Sequence, residues 1–344
     1  MRLIEKVWFK KHRAKYYLVP LLLPFTLLFW FISSCRRLGF KLGLIKSYVI
    51  TKPVIVVGNI GVGGNGKTPV VIHLVELAKQ LGFKPGVTAR GYGGNAARYP
   101  YCLDVNSTSK QAGDEPVLIY HRCKIPVIVG SDRVANAQML VEQGCDIIIS
   151  DDGLQHYRLQ RDLEIIVIDA NRLFGNGLLL PAGPLREGKW RLNKADIHIY
   201  NGNHLNKTDS TNKSLLMQLT ATELVQINSD KKMSLSDFFQ QWQTVNAAAG
   251  IGDPQRFFTT LETLGFKLLA QQGYVDHKDF VFEDFNQFNS ELPLLMTEKD
   301  AVKCHAFAQD NWWYLPVNAQ FSQQDAYKLV QSITKCSAEL NPAK

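Results

Sequence analysis

Apolar residues follow three different rhythms along this chain. From Tyr17 to Ser34 almost every position is apolar, a run about long enough to cross a bilayer as a helix. Pro20 and Pro24 interrupt it, and basic residues stand on both sides: Lys6, Lys10, Lys11, Arg13 and Lys15 before, Arg36, Arg37, Lys41 and Lys46 after. Crossing helices normally have lopsided basic flanks, so the pattern predicts a hairpin or helix lying in the cytoplasmic leaflet. Trp8, Phe9, Tyr16, Tyr17 and Trp30 suit the headgroup level. The rival reading is a lipoprotein cleavage box at Ile32-Ser33-Ser34-Cys35, which would export the protein from the cytoplasm.

From residue 53 the rhythm changes. Short apolar runs at 53–58, 85–89, 125–130, 145–150, 163–169 and 195–200 read as buried strands. Amphipathic stretches at 67–81, 114–122 and 132–143 read as helices between them. Such alternation predicts an α/β fold, a parallel sheet flanked by helices. Residues 201–214 are polar, and 215–228 alternate as a ribbon would. A second series then begins. Strands are predicted at 244–249, 266–270, 293–297 and 313–317, and helices at 254–264, 299–307 and 323–334. The expected division is an N-terminal segment 1–50, a larger domain 51–200, a linker or ribbon 201–230, a smaller α/β domain 231–335 and a tail 336–344.

The first strand ends in the most informative local sequence. Gly61-Val62-Gly63-Gly64-Asn65-Gly66-Lys67-Thr68 fits the phosphate-binding loop G-x-x-x-x-G-K-S/T, between strand and helix as that loop requires. Glycines let backbone N–H groups turn around a phosphate, and the helix N-terminus adds positive potential. Lys67 is expected at the β- and γ-phosphates and the Thr68 hydroxyl at Mg²⁺. The partner of such a loop is an acidic residue ending a buried strand. Asp151 and Asp152, after Ile147-Ile148-Ile149-Ser150, supply it.

Other charged residues sit where open α/β sheets bind ligands, at strand and helix ends. They are Arg90 in a glycine-rich loop, Asp114 and Glu115 at a helix start, Arg133 in Gly130-Ser131-Asp132-Arg133, and Arg186-Glu187. Composition adds a direction. The chain has 344 residues and a formal charge of +8, which favours an anionic partner. The basic residues gather near the apolar segment rather than on one recognition helix, which argues against nucleic acid. Six scattered cysteines without a C-x-x-C pair indicate neither zinc site nor disulfide scaffold. Asn193-Lys194-Ala195-Asp196 fits the guanine-reading N-K-x-D and leaves open a membrane-attached GTPase or ATPase switch, although it precedes a strand rather than following one.

In order along the chain, GNIGVGGNGKTP, ARGYGG, GDEP, GSDR, DDGLQH, GPLRE, GYVDHKDF and TEKDAVK resemble the tetraacyldisaccharide 4′-kinases of lipid A biosynthesis, over about residues 1–335. The resemblance implies a P-loop NTPase-like parallel sheet, a smaller second α/β domain and a membrane-associated N-terminus. It implies transfer of the ATP γ-phosphate, with Mg²⁺, to the 4′-hydroxyl of a tetraacyl glucosamine disaccharide 1-phosphate, giving lipid IVA at the cytoplasmic face of the Gram-negative inner membrane. No obligate protein partner is implied. On the same grounds Asp114 is expected as the base that accepts the hydroxyl proton, with His277 assisting. Asp151, Asp152 and Glu187 are expected with Thr68 around Mg²⁺, and Arg90, Arg133 and Arg186 on phosphate. Lys299 and Asp300 match the family pattern without an assigned chemistry.

Overall fold

The computed structural model describes residues 3–205 and 211–340. Its strands are β1 Val54–Gly58, β2 Pro85–Ala89, β3 Tyr101–Cys102, β4 Val127–Val129, β5 Ile147–Asp151, β6 Leu163–Asp169, β7 Ile197–Asn201, β8 Ser214–Thr220, β9 Glu223–Gln226, β10 Lys232–Ser234, β11 Thr244–Ala249, β12 Lys267–Gly273, β13 Leu294–Thr297, β14 Trp312–Leu315 and β15 Asn318–Phe321. Its α-helices are α1 Leu3–Phe9, α2 Lys15–Lys41, α3 Lys67–Gln80, α4 Ser109–Ala112, α5 Asp114–Cys123, α6 Arg133–Glu142, α7 Leu235–Gln241, α8 Pro254–Thr263, α9 Glu298–Cys304 and α10 Gln323–Leu340.

The first sheet runs β15-β8-β7-β6-β1-β5-β2-β4-β3, parallel throughout except for its two outermost strands. Residues of β1 explain why it lies at the centre. Ile55 and Val57 face one layer, with Val71, Leu74 and Val75 of α3 and Ile119 of α5. Val54 and Val56 face the other, with Ala137 and Leu140 of α6. An uninterrupted apolar strand is what a sheet covered on both faces requires. β1 lies between β5 and β6, so the loop leaving β1 opens at the C-terminal ends of three adjacent strands. Ligands of open α/β sheets bind there.

The second sheet runs β10-β9-β14-β13-β11-β12 and has its own aromatic core around Phe238, Phe258 and Trp313. Its boundaries differ from the expected ones. β8, expected as the start of a ribbon outside the first domain, extends the first sheet, parallel with β7 and antiparallel with β15. β15 and α10 leave the second domain and return to the first, where Leu329 and Ile333 join the core of α3 and β1. The second domain is therefore an insertion, entered between β8 and β9 and left between β14 and β15. Those strands pair antiparallel two by two, so one ribbon connects the sheets. Periodicity shows that α10 has an apolar face but not which sheet that face covers.

At the N-terminus, where hairpin and helix were both open, the structure has the helix. Residues 15–41 form one helix, which runs through Pro20 and Pro24. At about 1.5 Å per residue it is about 40 Å long, enough to cross a membrane by length and composition. Only Thr26 and Gly39 of α2 are buried. Tyr17, Leu21, Phe25, Leu28, Phe31 and Ile32 are each more than half exposed. α1 and α2 hold to the protein through few polar contacts. Thr26 Oγ1 accepts the Ala182 N–H at 3.0 Å, Trp8 Nε1 donates to Pro181 O at 3.1 Å, and Arg37 lies over the Trp190 ring.

Candidate active site

The phosphate loop is shaped by glycines and held by asparagines. Gly63 and Gly66 have φ of +111° and +89°. A Cβ at Gly66 would come within 2.6 Å of Asn201 Nδ2, so this position excludes a side chain twice over. Asn201 ends β7 and donates to Asn65 O at 3.1 Å, and Asn65 donates to Val167 O on β6. Val62 N donates to Pro184 O at 2.8 Å, which ties the loop to the Pro184–Glu187 segment.

Lys67 and Thr68 open α3. The Lys67 ammonium donates to Asn59 Oδ1 at 3.2 Å and lies 3.5 Å from Asp152 Oδ1, an ionic contact too long for a strong hydrogen bond. Arg186 meets the other oxygen of Asp152 at 2.9 Å. Burial alone would raise the Asp152 pKa, but Lys67 and Arg186 outweigh it and hold the carboxyl below its ordinary value. Asp151 differs. It is buried at the end of β5, and its Oδ1 has no hydrogen-bond partner. Burial first, then the nearby Glu115 and Asp152 charges, push its pKa well above the usual carboxylate range, against Lys67 and Arg133. A buried carboxylate oxygen without a partner, near enough to the P-loop lysine for its charge to act on it, fits a hard cation.

The remaining expected residues separate into three groups. Arg90 is exposed, and its charge acts on Arg133 and His156. Arg133 is 2% exposed and donates to Asp151 O at 2.9 Å and to Thr88 Oγ1 at 3.4 Å. It braces the ends of β2 and β5 from within, and burial lowers its pKa to about 10. Nη1 and Nη2 are thus directed at protein, while Nε has no hydrogen-bond partner. Glu187 is not gathered with the aspartates. Its carboxylate accepts hydrogen bonds from Tyr157 and from Gln155 Nε2, and lies 3.7 Å from Arg191 and 3.8 Å from Arg37 of α2. Arg186 and Glu187 sit on a bend whose two N–H groups share Ile60 O, with Arg186 towards Asp152 and Glu187 towards Arg37 of α2. Among the described residues no three acidic, histidine or cysteine side chains converge as a metal cage.

Asp114 and His277 do meet. Asp114 starts α5 in the first domain, and His277 follows β12 in the second. His277 Nδ1 lies 3.0 Å from Asp114 Oδ2, where Nδ1–H donates to the carboxylate. His277 has φ of +60°, an uncommon backbone state for a non-glycine residue, and its ring meets Tyr92 edge to face at 5.3 Å. Glu115, the neighbour of Asp114, is close enough to act on Asp151, so the pair adjoins the phosphate loop. Lys299 bridges the domains, 3.2 Å from Asp276 and 3.7 Å from Glu115. Asp300 is buried, accepting the Gly250 N–H and the Thr297 hydroxyl.

Sequence reasoning missed Asn59, Asn201 and Lys303. Asn59 and Lys303 lie inside quoted motifs, but an amide or a lysine carries no chemical signature without its partner. The guanine-reading alternative fails on placement. Asp196 accepts Glu164 N at 2.8 Å at the N-terminal end of β6, the opposite end of the sheet from the phosphate loop.

Comparison with known proteins places the whole chain. The family model for tetraacyldisaccharide-1-P 4′-kinase matches residues 18–335. A tetraacyldisaccharide 4′-kinase of Colwellia psychrerythraea is 61% identical over 331 residues, 96% of each chain. One from Vibrio vulnificus is 47% identical over 98% of each. Among solved structures, LpxK from Aquifex aeolicus, crystallised as an "apo" form in complex with ATP, aligns with a TM-score of 0.77 at 26% identity, over 93% of this chain and 99% of that one. Loop, paired aspartates and interdomain Asp–His contact thus lie within a match that spans nearly the full length, and the chain belongs to the tetraacyldisaccharide-1-P 4′-kinase family.

Proposed function

We propose that this protein transfers the γ-phosphate of ATP to the 4′-hydroxyl of a tetraacyldisaccharide 1-phosphate while held at a membrane. The observation that carries the reading is the Asp114–His277 contact at 3.0 Å, a carboxylate and an imidazole brought together from two domains beside a phosphate loop. The loop amides and the α3 N-terminus bind the nucleotide phosphates. Lys67, already next to Asp152, shifts to the β- and γ-phosphates as they enter and neutralises charge on the group in flight. Arg186 holds Asp152 in place and adds a second cation at the same edge. Asp114, ionised and hydrogen-bonded to His277, takes the proton from the acceptor hydroxyl as its oxygen forms the bond to phosphorus. Thr68 and Asp151 would hold Mg²⁺, which would supply further neutralisation of phosphate charge. Because acid–base groups come from both domains, the site is complete only when the domains are together, which excludes water from the transferring phosphoryl group.

The lipid half of the substrate accounts for α2. Its exposed apolar side chains enter the cytoplasmic leaflet, and Arg36, Arg37, Lys41 and Lys46 attract anionic headgroups. The acceptor is then presented at the membrane surface where the P-loop domain rests. The test is phosphorylation of purified tetraacyldisaccharide 1-phosphate with labelled ATP in detergent micelles. Wild-type protein is expected to transfer label, and Lys67→Ala to lose ~10²-fold or more with the fold intact. Wild-type turnover by Lys67→Ala would overturn the reading.

A further inference from the structure

One cation near the proposed base has no role in that scheme. Lys303, on α9 of the second domain, is buried, with 4% of its side chain exposed. Its ammonium lies 3.7 Å from Asp114 Oδ2 across the domain boundary and 3.0 Å from Asp300 Oδ1. Neither contact has hydrogen-bond geometry, so both act through charge. The Phe280 ring lies under the ammonium, 4.9 Å from its centre, a favourable seat for a cation. Asp300 is in turn locked by Gly250 N at 2.8 Å and by Thr297 Oγ1 at 2.6 Å. The ammonium is thus fixed from below and from the side and aimed at the carboxylate. A buried lysine is costly unless a carboxylate meets it, and here two do.

We propose that Lys303 is a positioning residue of the phosphoryl transfer: through its charge it keeps Asp114 ionised and facing His277, so that the base is ready before the acceptor hydroxyl arrives. This rests on the kinase reading above and adds a residue to it. The charged neighbours of Asp114 come from three elements. α5 gives Glu115, α9 gives Lys299, Asp300 and Lys303, and the segment after β12 gives Asp276 and His277. Lys299 is already shared between Glu115 and Asp276, which leaves Lys303 as the cation nearest Asp114. Burial would raise the Asp114 pKa; the His277 hydrogen bond, then Lys303 and Lys299, reverse the direction and lower it. In the transfer, the acceptor oxygen forms its bond to the γ-phosphorus, the bond to the β–γ bridging oxygen breaks, and ADP leaves with that electron pair. The acceptor proton goes to Asp114. Neutralising Asp114 leaves Lys303 balanced by Asp300, so the proton arrives without stranding a buried charge.

The experiment compares full-length wild type, Lys303→Met and Lys303→Arg by kcat/KM for the acceptor lipid across pH, and by 13C titration of the Asp114 carboxyl, identified by its loss in Asp114→Asn. With the ammonium gone, the acidic limb of Lys303→Met is expected to move to higher pH by about one unit or more, and the carboxyl titration to move with it. Lys303→Arg is expected to hold both near wild type. If Lys303→Met does not fold, Lys303→Met with Asp300→Asn removes both charges and carries the same test. An acidic limb and a carboxyl titration that stay at the wild-type position overturn the proposal, as does a kcat loss equal at every pH. Wild-type protein that transfers no label refutes the kinase reading instead, and the carboxyl titration still decides the role of Lys303.

Discussion

Gly66→Ala is a change of one methyl group whose cost follows from the geometry of the phosphate loop. At φ of +89° and ψ of 29° the residue is left-handed, which costs an alanine about 1–2 kcal/mol. The new Cβ would stand 2.6 Å from Asn201 Nδ2 and 3.3 Å from Met217 Cε. Met217 can yield, but Asn201 is almost fully buried and must retreat from Asn65 O, losing a 3.1 Å hydrogen bond worth about 1 kcal/mol. The binding-ready loop therefore becomes about 2–3 kcal/mol less accessible, and ATP affinity is expected to fall roughly 30- to 150-fold. Calorimetric titration of ATP, with circular dichroism as the folding control, measures it. The mechanism makes a second demand. Asn201→Ala removes the same hydrogen bond but also the clash, so Gly66→Ala with Asn201→Ala should bind ATP about as well as Gly66→Ala alone. ATP binding by Gly66→Ala within threefold of wild type, or strictly additive losses in the double variant, would refute the reasoning.

Three further outcomes are expected. Asp114→Asn should depress kcat far more than ATP affinity, and adding His277→Ala should cost little beyond the worse single change; additive losses in steady-state kinetics would separate the two residues. Leu28→Glu with Phe31→Glu, on the exposed face of α2, should abolish flotation with anionic vesicles while ATP binding persists, and flotation equal to wild type would move the membrane contact elsewhere. Glu164 is buried between Arg161 and Arg191; burial raises its pKa, but the Arg191 and Arg161 contacts prevail and lower it. Its contribution to stability is therefore full above its ordinary 4.5 and fades as pH falls through the lowered folded value. The stability gap between wild type and Glu164→Gln should be wide near neutrality, on the order of a few kcal/mol because Arg161 loses its carboxylate and Arg191 keeps only Glu187 at 3.7 Å, and should close in acid; a gap independent of pH would contradict the pairing.

Most of the first domain was legible because each of its parts is local. An all-apolar β1, a glycine loop and an amphipathic α3 follow one another, and the chemistry of phosphate binding demands that order. The Asp–His pair was legible only through resemblance. Residues 163 apart in sequence meet at 3.0 Å because two domains touch, and no periodicity encodes that contact. Arg133 and Glu187 show what residue type leaves open. Each has the residue type and neighbourhood of a ligand-binding group, yet one is directed to the Asp151 carbonyl and the other to Tyr157 and Arg191. Direction of a side chain is a property of packing rather than of composition. At residues 17–34 hairpin and helix both stayed open because proline counts against a helix interior, and the structure takes the helix through both prolines.

The return of β15 and α10 to the first sheet has a consequence for how the protein is made. Synthesis runs from the N-terminus, at roughly 5–20 residues per second, so α2 emerges first and can enter the membrane within seconds. The phosphate loop follows, but its sheet still lacks an edge strand and α10, the helix that places Leu329 and Ile333 in its core. Those pieces come last, after the whole inserted domain has been made. Throughout that interval β8 presents an open edge, the situation in which strands pair with the wrong neighbour. Under the membrane reading proposed above, the nascent chain would be tethered before it can complete a nucleotide site, and the order of translation would separate anchoring from activity.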